Sequence, residues 1–242
     1  GETSKILTVF SPQYGKLTLI AKGARNSKSK YLGVLDTFNQ VAIVFYRKEN
    51  RDIQFLSQAE IVNAFPSVHA SLGKMALAAI PCELIEKNEP QEHANPELFK
   101  YLLETLHTLE SSENGLKNVI RSFQLKFIEN SGFHPNLEEC KKCEKSESSS
   151  INFFDIERGF YTCENCGITS HMNIRLQNNT VENLRWLNQA PISEASKAKV
   201  SAPIGKQIDD FLFQYIKYHF EHLHYLKSLK YLKELSNGLH KS

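Results

Sequence analysis

Four cysteines in two closely spaced pairs constrain this chain more than any other feature. Two residues separate Cys140 from Cys143, 19 residues follow, and Cys163 and Cys166 repeat the spacing. A two-residue gap lets both sulfurs of a pair turn toward one ion, so two pairs supply four sulfurs in a tetrahedron. This spacing predicts one structural Zn²⁺ per chain, held by all four cysteines with no position left for a substrate water.

The spacing alone leaves other interpretations of these cysteines open, including that they are unrelated core residues. An iron–sulfur cluster also takes four cysteines, and the same residues could form two disulfides. The chain has five cysteines, however, and an odd count argues against a secreted disulfide framework. The sequence has no apolar run of the roughly 18 residues that a membrane helix needs, and its first residues show no basic-then-apolar leader. We therefore expect a cytoplasmic protein in a reducing compartment, without a membrane partner.

Short apolar runs separated by turn signals fill the first quarter of the chain. Four or more such runs, rich in β-branched and aromatic residues, predict a small antiparallel sheet or barrel. The runs are Ile6–Phe10, Leu17–Ala21, Val41–Tyr46, Ile53–Leu56 and Ile61–Phe65. Residues 1–66 carry nine basic and five acidic residues, and we interpret them as one domain with a net charge of +4.

A polar, basic segment follows the second of these runs. Arg25, Lys28 and Lys30 are closely spaced after Gly23, which predicts a flexible basic loop. Such a loop is either a solvated surface feature or a contact for nucleic-acid phosphates, with nearby aromatic residues stacking on bases.

After Pro66 the apolar residues recur with the period of a helix. Ser67 is expected to cap a helix that runs to about Ile80, and Asn95-Pro96 marks the start of another. Two further stripes begin at Leu116 and Ile208, and Leu226–Leu235 closes the chain. We divide this part into an acidic first helical segment (67–138, net charge −4), a zinc finger (139–175) and a basic C-terminal helical segment (176–242, net charge +3). Within the finger, Phe153-Phe154 and Gly159-Phe160-Tyr161 are expected to form a hairpin under the metal.

No motif in the sequence indicates catalysis. The glycine-rich phosphate-binding patterns are absent, and the two Ser-x-x-Lys matches, at Ser71 and Ser196, lack their companion motifs. His219, His222 and His224 do not have the spacing of a His-Glu-x-x-His site. We therefore predict that the protein is not an enzyme.

Several of these stretches together resemble the RecO family of bacterial DNA repair proteins. The similarity begins with Gly-Glu-Thr-Ser-Lys-Ile-Leu-Thr at residues 1–8 and continues through Gly15-Lys16 and Ala-Lys-Gly-Ala-Arg at 21–25. It extends through Phe133-His134-Pro135, the two cysteine pairs and the final Leu-Lys-Ser-Leu at 226–229. The resemblance spans nearly the whole chain.

The resemblance implies an α+β protein with an N-terminal OB-fold β-barrel, followed by a helical domain into which a four-cysteine zinc finger is inserted. It implies a non-enzymatic recombination mediator that binds single- and double-stranded DNA and anneals complementary strands. Its implied partners are RecR, with which it helps load RecA onto DNA, and single-strand-binding protein, whose acidic C-terminal tail it contacts. A bacterial, nucleoid-associated location follows from the same resemblance.

The resemblance also suggests which side chains meet these partners. Positions matching DNA contacts are Lys16, Lys22, Arg25, Lys28 and Lys30, together with Arg47 and Lys48. The acidic tail would need cations beside apolar helical faces, which the C-terminal segment offers at Lys206, Lys217, Lys227 and Lys230. The rival interpretation is a zinc-stabilised adaptor that binds proteins and does not touch DNA.

Overall fold

The computed structural model describes residues 3–49, 51–145 and 150–238 and has the expected α+β architecture, a sheet followed by helices. The N-terminal sheet has four strands, which are β1 (Lys5–Ser11), β2 (Gly15–Ala21), β3 (Gln40–Tyr46) and β4 (Ile53–Asn63). The two apolar runs expected near residues 53–65 form one strand, β4, whose pairing with β3 is broken by register shifts.

The order of strands in this sheet is β1-β2-β4-β3. The β1–β2 and β3–β4 pairs are antiparallel, whereas β2 and β4 run parallel. Side chains alternate between the two faces, so Leu17, Leu19 and Leu56 are buried inside while their neighbours Ile20 and Phe55 point outward. Among the described residues, β1 and β3 are the edges of an OB-like sheet that is open between them.

The segment between β2 and β3 is a chain of turns that closes one end of the sheet. Tyr31 and Leu35 are buried in the sheet's own core, and the Tyr31 hydroxyl donates a hydrogen bond to the carbonyl of Ser57, at 2.8 Å. The expectation of a flexible loop therefore needs correction, because two buried side chains anchor the segment.

After β4, the described residues form eight α-helices and a second, smaller sheet. Their bounds are α1 (Pro66–Ala70), α2 (Leu72–Asn88), α3 (Pro96–Ser111), α4 (Leu116–Asn130), α5 (Asn178–Gln189), α6 (Ile192–Ala195), α7 (Ala202–His219) and α8 (Lys227–Gly238). A single 3₁₀ turn, Glu221–Leu223, connects α7 to α8. None of the helices in the described ranges is long and apolar enough to cross a membrane.

One helix boundary differs from the sequence expectation. The helix predicted to start at Ser67 and run to Ile80 is broken at Ser71, which adopts an extended backbone. The Ser71 hydroxyl accepts a hydrogen bond from the Lys74 N–H at 3.3 Å and so caps α2, while Ser67 lies inside α1. The Glu110 carboxylate on α3 accepts hydrogen bonds from the N–H groups of Ser67 and Val68, both at 3.0 Å, and thus fixes α1.

The last helix is anchored to α2 through one carboxylate. Glu83 accepts hydrogen bonds from the N–H groups of Lys227 and Ser228, at 2.9 and 2.8 Å, and from the Ser228 hydroxyl at 2.7 Å. A carboxylate at a helix N-terminus satisfies N–H groups that the helix itself leaves unpaired. This contact ties the N-terminus of α8 to α2.

The second sheet is antiparallel and carries the cysteines. It consists of β5 (Ile151–Asp155), β6 (Phe160–Cys163) and β7 (Asn173–Gln177), in the order β6-β5-β7. The β5–β6 pair is the expected hairpin. Phe154 packs edge-to-face on Phe211 of α7, with ring centroids 4.8 Å apart, so the sheet shares the core of the helical body.

Candidate metal centre and nucleic-acid surface

The structure brings all four predicted cysteines together. The sulfurs of Cys140, Cys143, Cys163 and Cys166 all lie within 4.8 Å of one another. Cys163 ends β6, Cys166 lies in the turn after it, and Cys140 and Cys143 form a second turn beside the hairpin. Cys140 and Cys163 are buried and Cys143 is exposed, so the cluster sits at the edge of the core.

Backbone N–H groups converge on one of these sulfurs. The N–H of Cys163 donates to Cys140 Sγ at 3.3 Å. Burial opposes ionisation of the Cys140 thiol, but the N–H groups of Cys143, Cys163 and Lys142 outweigh burial and lower the Cys140 pKa to about 6. A sulfur stabilised as a thiolate is a metal ligand, since the thiolate and not the thiol binds metal.

The other cysteines also interact within the cluster. A hydrogen bond to Cys163 and partial desolvation raise the pKa of Cys166 to about 12. Cys143 and Cys163 are also in contact, with 3.8 Å between their sulfurs. Four converging sulfurs are the donor set that suits a tetrahedral soft-metal site.

A second candidate site lies on the outer face of the N-terminal sheet. Phe55 of β4 is flanked by Ile20 on one side and by Tyr46 on the other, and residues paired in this way share a face. Tyr46 is 66% exposed, and the Lys22 ammonium lies 4.7 Å from the centroid of the Phe55 ring. Exposed rings next to cations are what single-stranded nucleic acids stack on.

The predicted DNA-contact residues fall into two groups at opposite ends of this face. Lys22, Arg25, Lys28 and Lys30 are all exposed at the end of β2 and in the turns that follow. Lys30 is positioned by its hydrogen bond to the Ser57 carbonyl at 2.7 Å. Of these four cations, Lys22 contacts Phe55 and Lys30 contacts Ser57, two residues further along β4.

The other group lies near the helices. Lys16 donates to the Glu86 carbonyl at 2.5 Å, and Arg47 forms an ion pair with Glu92 at 2.9 Å. Both side chains are therefore engaged by the protein itself. Lys48 is exposed at the turn after β3. The backbone N–H of Lys48 donates a hydrogen bond to Oε1 of the buried Gln54 at 2.8 Å, and Gln54 Nε2 donates one to the Lys48 carbonyl at 3.0 Å. Sequence reasoning missed Phe55 and Tyr46, which join the two groups.

The four lysines predicted to hold an acidic tail lie on two different helices. Lys206 and Lys217 are exposed on α7, and Lys206 pairs with Asp210 at 2.6 Å. Lys227 and Lys230 are exposed on α8, where Lys230 pairs with Glu234 at 3.8 Å. The two pairs lie on helices that pack against different elements, α7 on α4, α5 and β7, and α8 on α2.

The OB-like sheet, the helical body and the cysteine centre inserted into it form the architecture that the sequence resemblance implied. The Recombination protein O N terminal model matches residues 1–65, and the Recombination protein O C terminal model matches residues 69–230. The chain therefore belongs to the RecO family.

Individual relatives agree over nearly their full length. The protein named DNA repair protein RecO of Alkaliphilus metalliredigens is 30% identical over 235 residues, covering 97% of this chain and 94% of the relative. The protein of the same name in Desulfatibacillum aliphaticivorans is 30% identical over 239 residues, covering 97% of this chain and 92% of the relative. The DNA repair protein RecO of Desulforamulus reducens is 29% identical over 241 residues, covering 100% of this chain and 90% of the relative.

Proposed function

We propose that this protein is a non-enzymatic recombination mediator that binds single- and double-stranded DNA and anneals complementary strands. The observation that carries the proposal is the outer face of the N-terminal sheet, where Phe55 and Tyr46 lie between two groups of cations. Family membership supports the same role in DNA repair.

The outer face fits a single strand better than a rigid duplex. Bases stack on rings with a free energy of about 1–3 kcal/mol each, whereas the cation–π contact of Lys22 with Phe55 is worth about 0.5–1 kcal/mol at an exposed site. An incoming base therefore displaces the Lys22 ammonium, which then meets the neighbouring phosphate. The phosphates continue to Arg25 and Lys28 at one end and to Lys48 at the other. Duplex DNA is held by the cations alone.

Annealing follows from binding without sequence preference. Phosphate contacts carry no sequence information, so two complementary strands bind alike and are brought together. The reaction breaks and forms no covalent bond, and it needs no nucleotide.

Partners of this mediator are proposed from the same family role. With RecR it would help load RecA onto DNA coated by single-strand-binding protein, within the bacterial cytoplasm at the nucleoid. The acidic tail of single-strand-binding protein would meet Lys206 and Lys217 or Lys227 and Lys230.

Lys217→Glu and Lys227→Glu should each be tested for tail-peptide affinity, with Lys100→Glu on α3 as the matched control. Unchanged affinity in both variants would show that the tail binds elsewhere.

The cysteine centre is proposed to hold one structural Zn²⁺ per chain. Cys140, Cys143, Cys163 and Cys166 would complete its tetrahedron, so the ion would fix the turns around the hairpin and supply no reactive water.

A strand-annealing assay without nucleotide tests the proposed function. Two complementary labelled oligonucleotides should anneal faster with the wild-type protein than alone, and Phe55→Ala should reduce this gain. Tyr231→Ala, which removes an exposed ring on α8, is the matched control and should anneal normally. A protein without DNA affinity and without annealing would instead favour the adaptor interpretation.

A further inference from the structure

Asn152 is a buried amide for which the fold provides no partner. Its side chain is fully buried on β5. Neither Asn152 Nδ2 nor Oδ1 has a hydrogen-bond partner within the described part of the chain. Buried side-chain amides are almost always satisfied, because an unpaired one loses its hydrogen bonds to water without replacement. The Asn152 amide is therefore free to bond to a group beyond those that the described residues offer it.

The register of the second sheet places this amide beside the cysteine centre. Asn152 lies directly opposite Cys163 of β6 and opposite Leu176 of β7. Residues opposite each other on antiparallel strands share a face, with Cβ atoms about 4.5–5.5 Å apart. The neighbouring pair on that face, Phe154 and Tyr161, is buried in the core, so Asn152 and Cys163 also point inward.

A metal bound by the four cysteines would give Asn152 a hydrogen-bond acceptor at Cys163, its partner across the β5–β6 pair. The Cys163 sulfur belongs to the cluster of four sulfurs and lies 3.8 Å from Cys143 Sγ. When the four cysteines bind a divalent cation as thiolates, the centre carries a net charge of −2, and each sulfur becomes a stronger acceptor. Because Asn152 and Cys163 are directly paired, the amide and the sulfur extend from the same face of the β5–β6 pair.

We infer that Asn152 is a positioning residue of the metal centre, which donates a hydrogen bond from Nδ2 to the thiolate of Cys163 when the metal is bound. The inference rests on the proposed zinc centre and extends it to a residue outside the four ligands. Groups that bond to a metal ligand orient it and stabilise its charge, and their loss typically lowers metal affinity 10–100-fold.

The test compares how a substitution of Asn152 changes the stability of the protein without metal and its affinity for Zn²⁺. Asn152→Leu removes the amide and keeps a similar volume. Without metal the amide has no partner, so this change should leave the thermal midpoint of the metal-free protein unchanged or higher. Zn²⁺ affinity, measured by competition with a chromophoric chelator, should nevertheless fall at least tenfold. In Co²⁺-substituted protein the sulfur-to-metal charge-transfer band should shift.

Asn152→Ala provides a second route if leucine disturbs the core, and it should weaken Zn²⁺ binding in the same direction. Asn173→Leu, on the neighbouring strand and opposite Asp155, is the control and should keep the wild-type affinity within about twofold. Wild-type Zn²⁺ affinity in both Asn152 variants would overturn the inference while leaving the zinc centre intact. A wild-type protein that binds no Zn²⁺ would overturn the zinc centre itself.

Discussion

The ammonium of Lys22 lies 4.7 Å above the ring of Phe55, at the point where the end of β2 meets β4. This contact joins Lys22, one of the four cations at the end of β2, to Phe55, which lies beside Tyr46 on the outer face of the sheet. It keeps a cation within reach of any phosphate whose base stacks on Phe55. In the proposed single-strand complex, this pair would supply both stacking and charge neutralisation.

Removing either ring should weaken single-strand binding more than duplex binding. We expect Phe55→Ala and Tyr46→Ala each to raise the Kd for a labelled single-stranded oligonucleotide about tenfold, since one stacked base contributes about 1–3 kcal/mol. The Kd for a duplex of the same length should change less than threefold. Fluorescence anisotropy measures both, with Tyr231→Ala as the control. An equal loss on both substrates would show that the rings do not stack on bases.

Loss of one cysteine should remove the metal. Cys140→Ser eliminates the sulfur on which the backbone N–H groups converge, and three ligands hold Zn²⁺ more weakly than four. We expect the zinc content by elemental analysis to fall from about one per chain in wild type to well below one. Amide hydrogen exchange should rise around the hairpin of β5 and β6 and change little in the N-terminal sheet. Wild-type protein with iron absorption in the visible range would contradict the zinc assignment.

The anchor of α8 should depend on pH in a defined direction. Partial burial opposes the charge of Glu83, but hydrogen bonds from the Ser228 hydroxyl, from the N–H groups of Ser228 and Lys227, and from Lys87 lower its pKa to about 2 from 4.5. Because the folded pKa lies below the unfolded one, the charged form stabilises the fold above pH 4.5. This contribution is lost as the pH falls toward 2.

Glu83→Gln should therefore lower the free energy of unfolding at pH 7 by roughly 1 kcal/mol, as measured by urea denaturation, because capping contacts are worth about that much. The difference from wild type should shrink as the pH falls below 4.5. Glu86→Gln, an exposed carboxylate in the same helix, is the control and should have little effect. A difference that does not change with pH would refute the role of the Glu83 charge.

Two glycines allow backbone strain to be separated from steric overlap. Gly115 and Gly132 both have positive φ, at 67° and 86°. A Cβ on Gly115 would lie 1.9 Å from the Ser196 carbonyl oxygen, whereas one on Gly132 would meet nothing within 4 Å. We expect Gly132→Ala to cost about 1–2 kcal/mol from the left-handed backbone alone. Gly115→Ala should cost about 1–3 kcal/mol more. Equal thermal denaturation midpoints would be inconsistent with this packing.

Local patterns in the sequence predicted much of the fold. Strands β1 to β3, the helices that begin at Pro96 and Leu116, and the β5–β6 hairpin follow from periodicity and turn residues that act over a few positions. The cysteine cluster follows from ligand spacing. The break at Ser71 also had a local signal, an N-cap serine directly before an apolar helical run, but the nearby Ser67 offers the same signal.

Features that depend on distant pairing had no such signal. The anchor of α8 joins Glu83 to Ser228 across 145 positions, and nothing near either residue indicates the contact. Phe55 and Tyr46 look like ordinary strand residues until the register places them side by side on the outer face. Asn152 is one polar residue in an apolar run, and only its pairing with Cys163 gives it a role to test.

The salt dependence of single-strand binding tests the central claim of a DNA-binding sheet most directly. Three to five phosphate contacts predict a slope of roughly −2 to −3.5 when log K is plotted against log salt concentration, since each contact on a single strand contributes about −0.7. Replacing Arg25, Lys28 and Lys30 together by Glu should weaken binding at least tenfold at low salt and flatten this slope, while the zinc content and the circular dichroism spectrum stay as in wild type. Wild-type affinity and slope in the triple variant would contradict DNA binding at this end of the sheet.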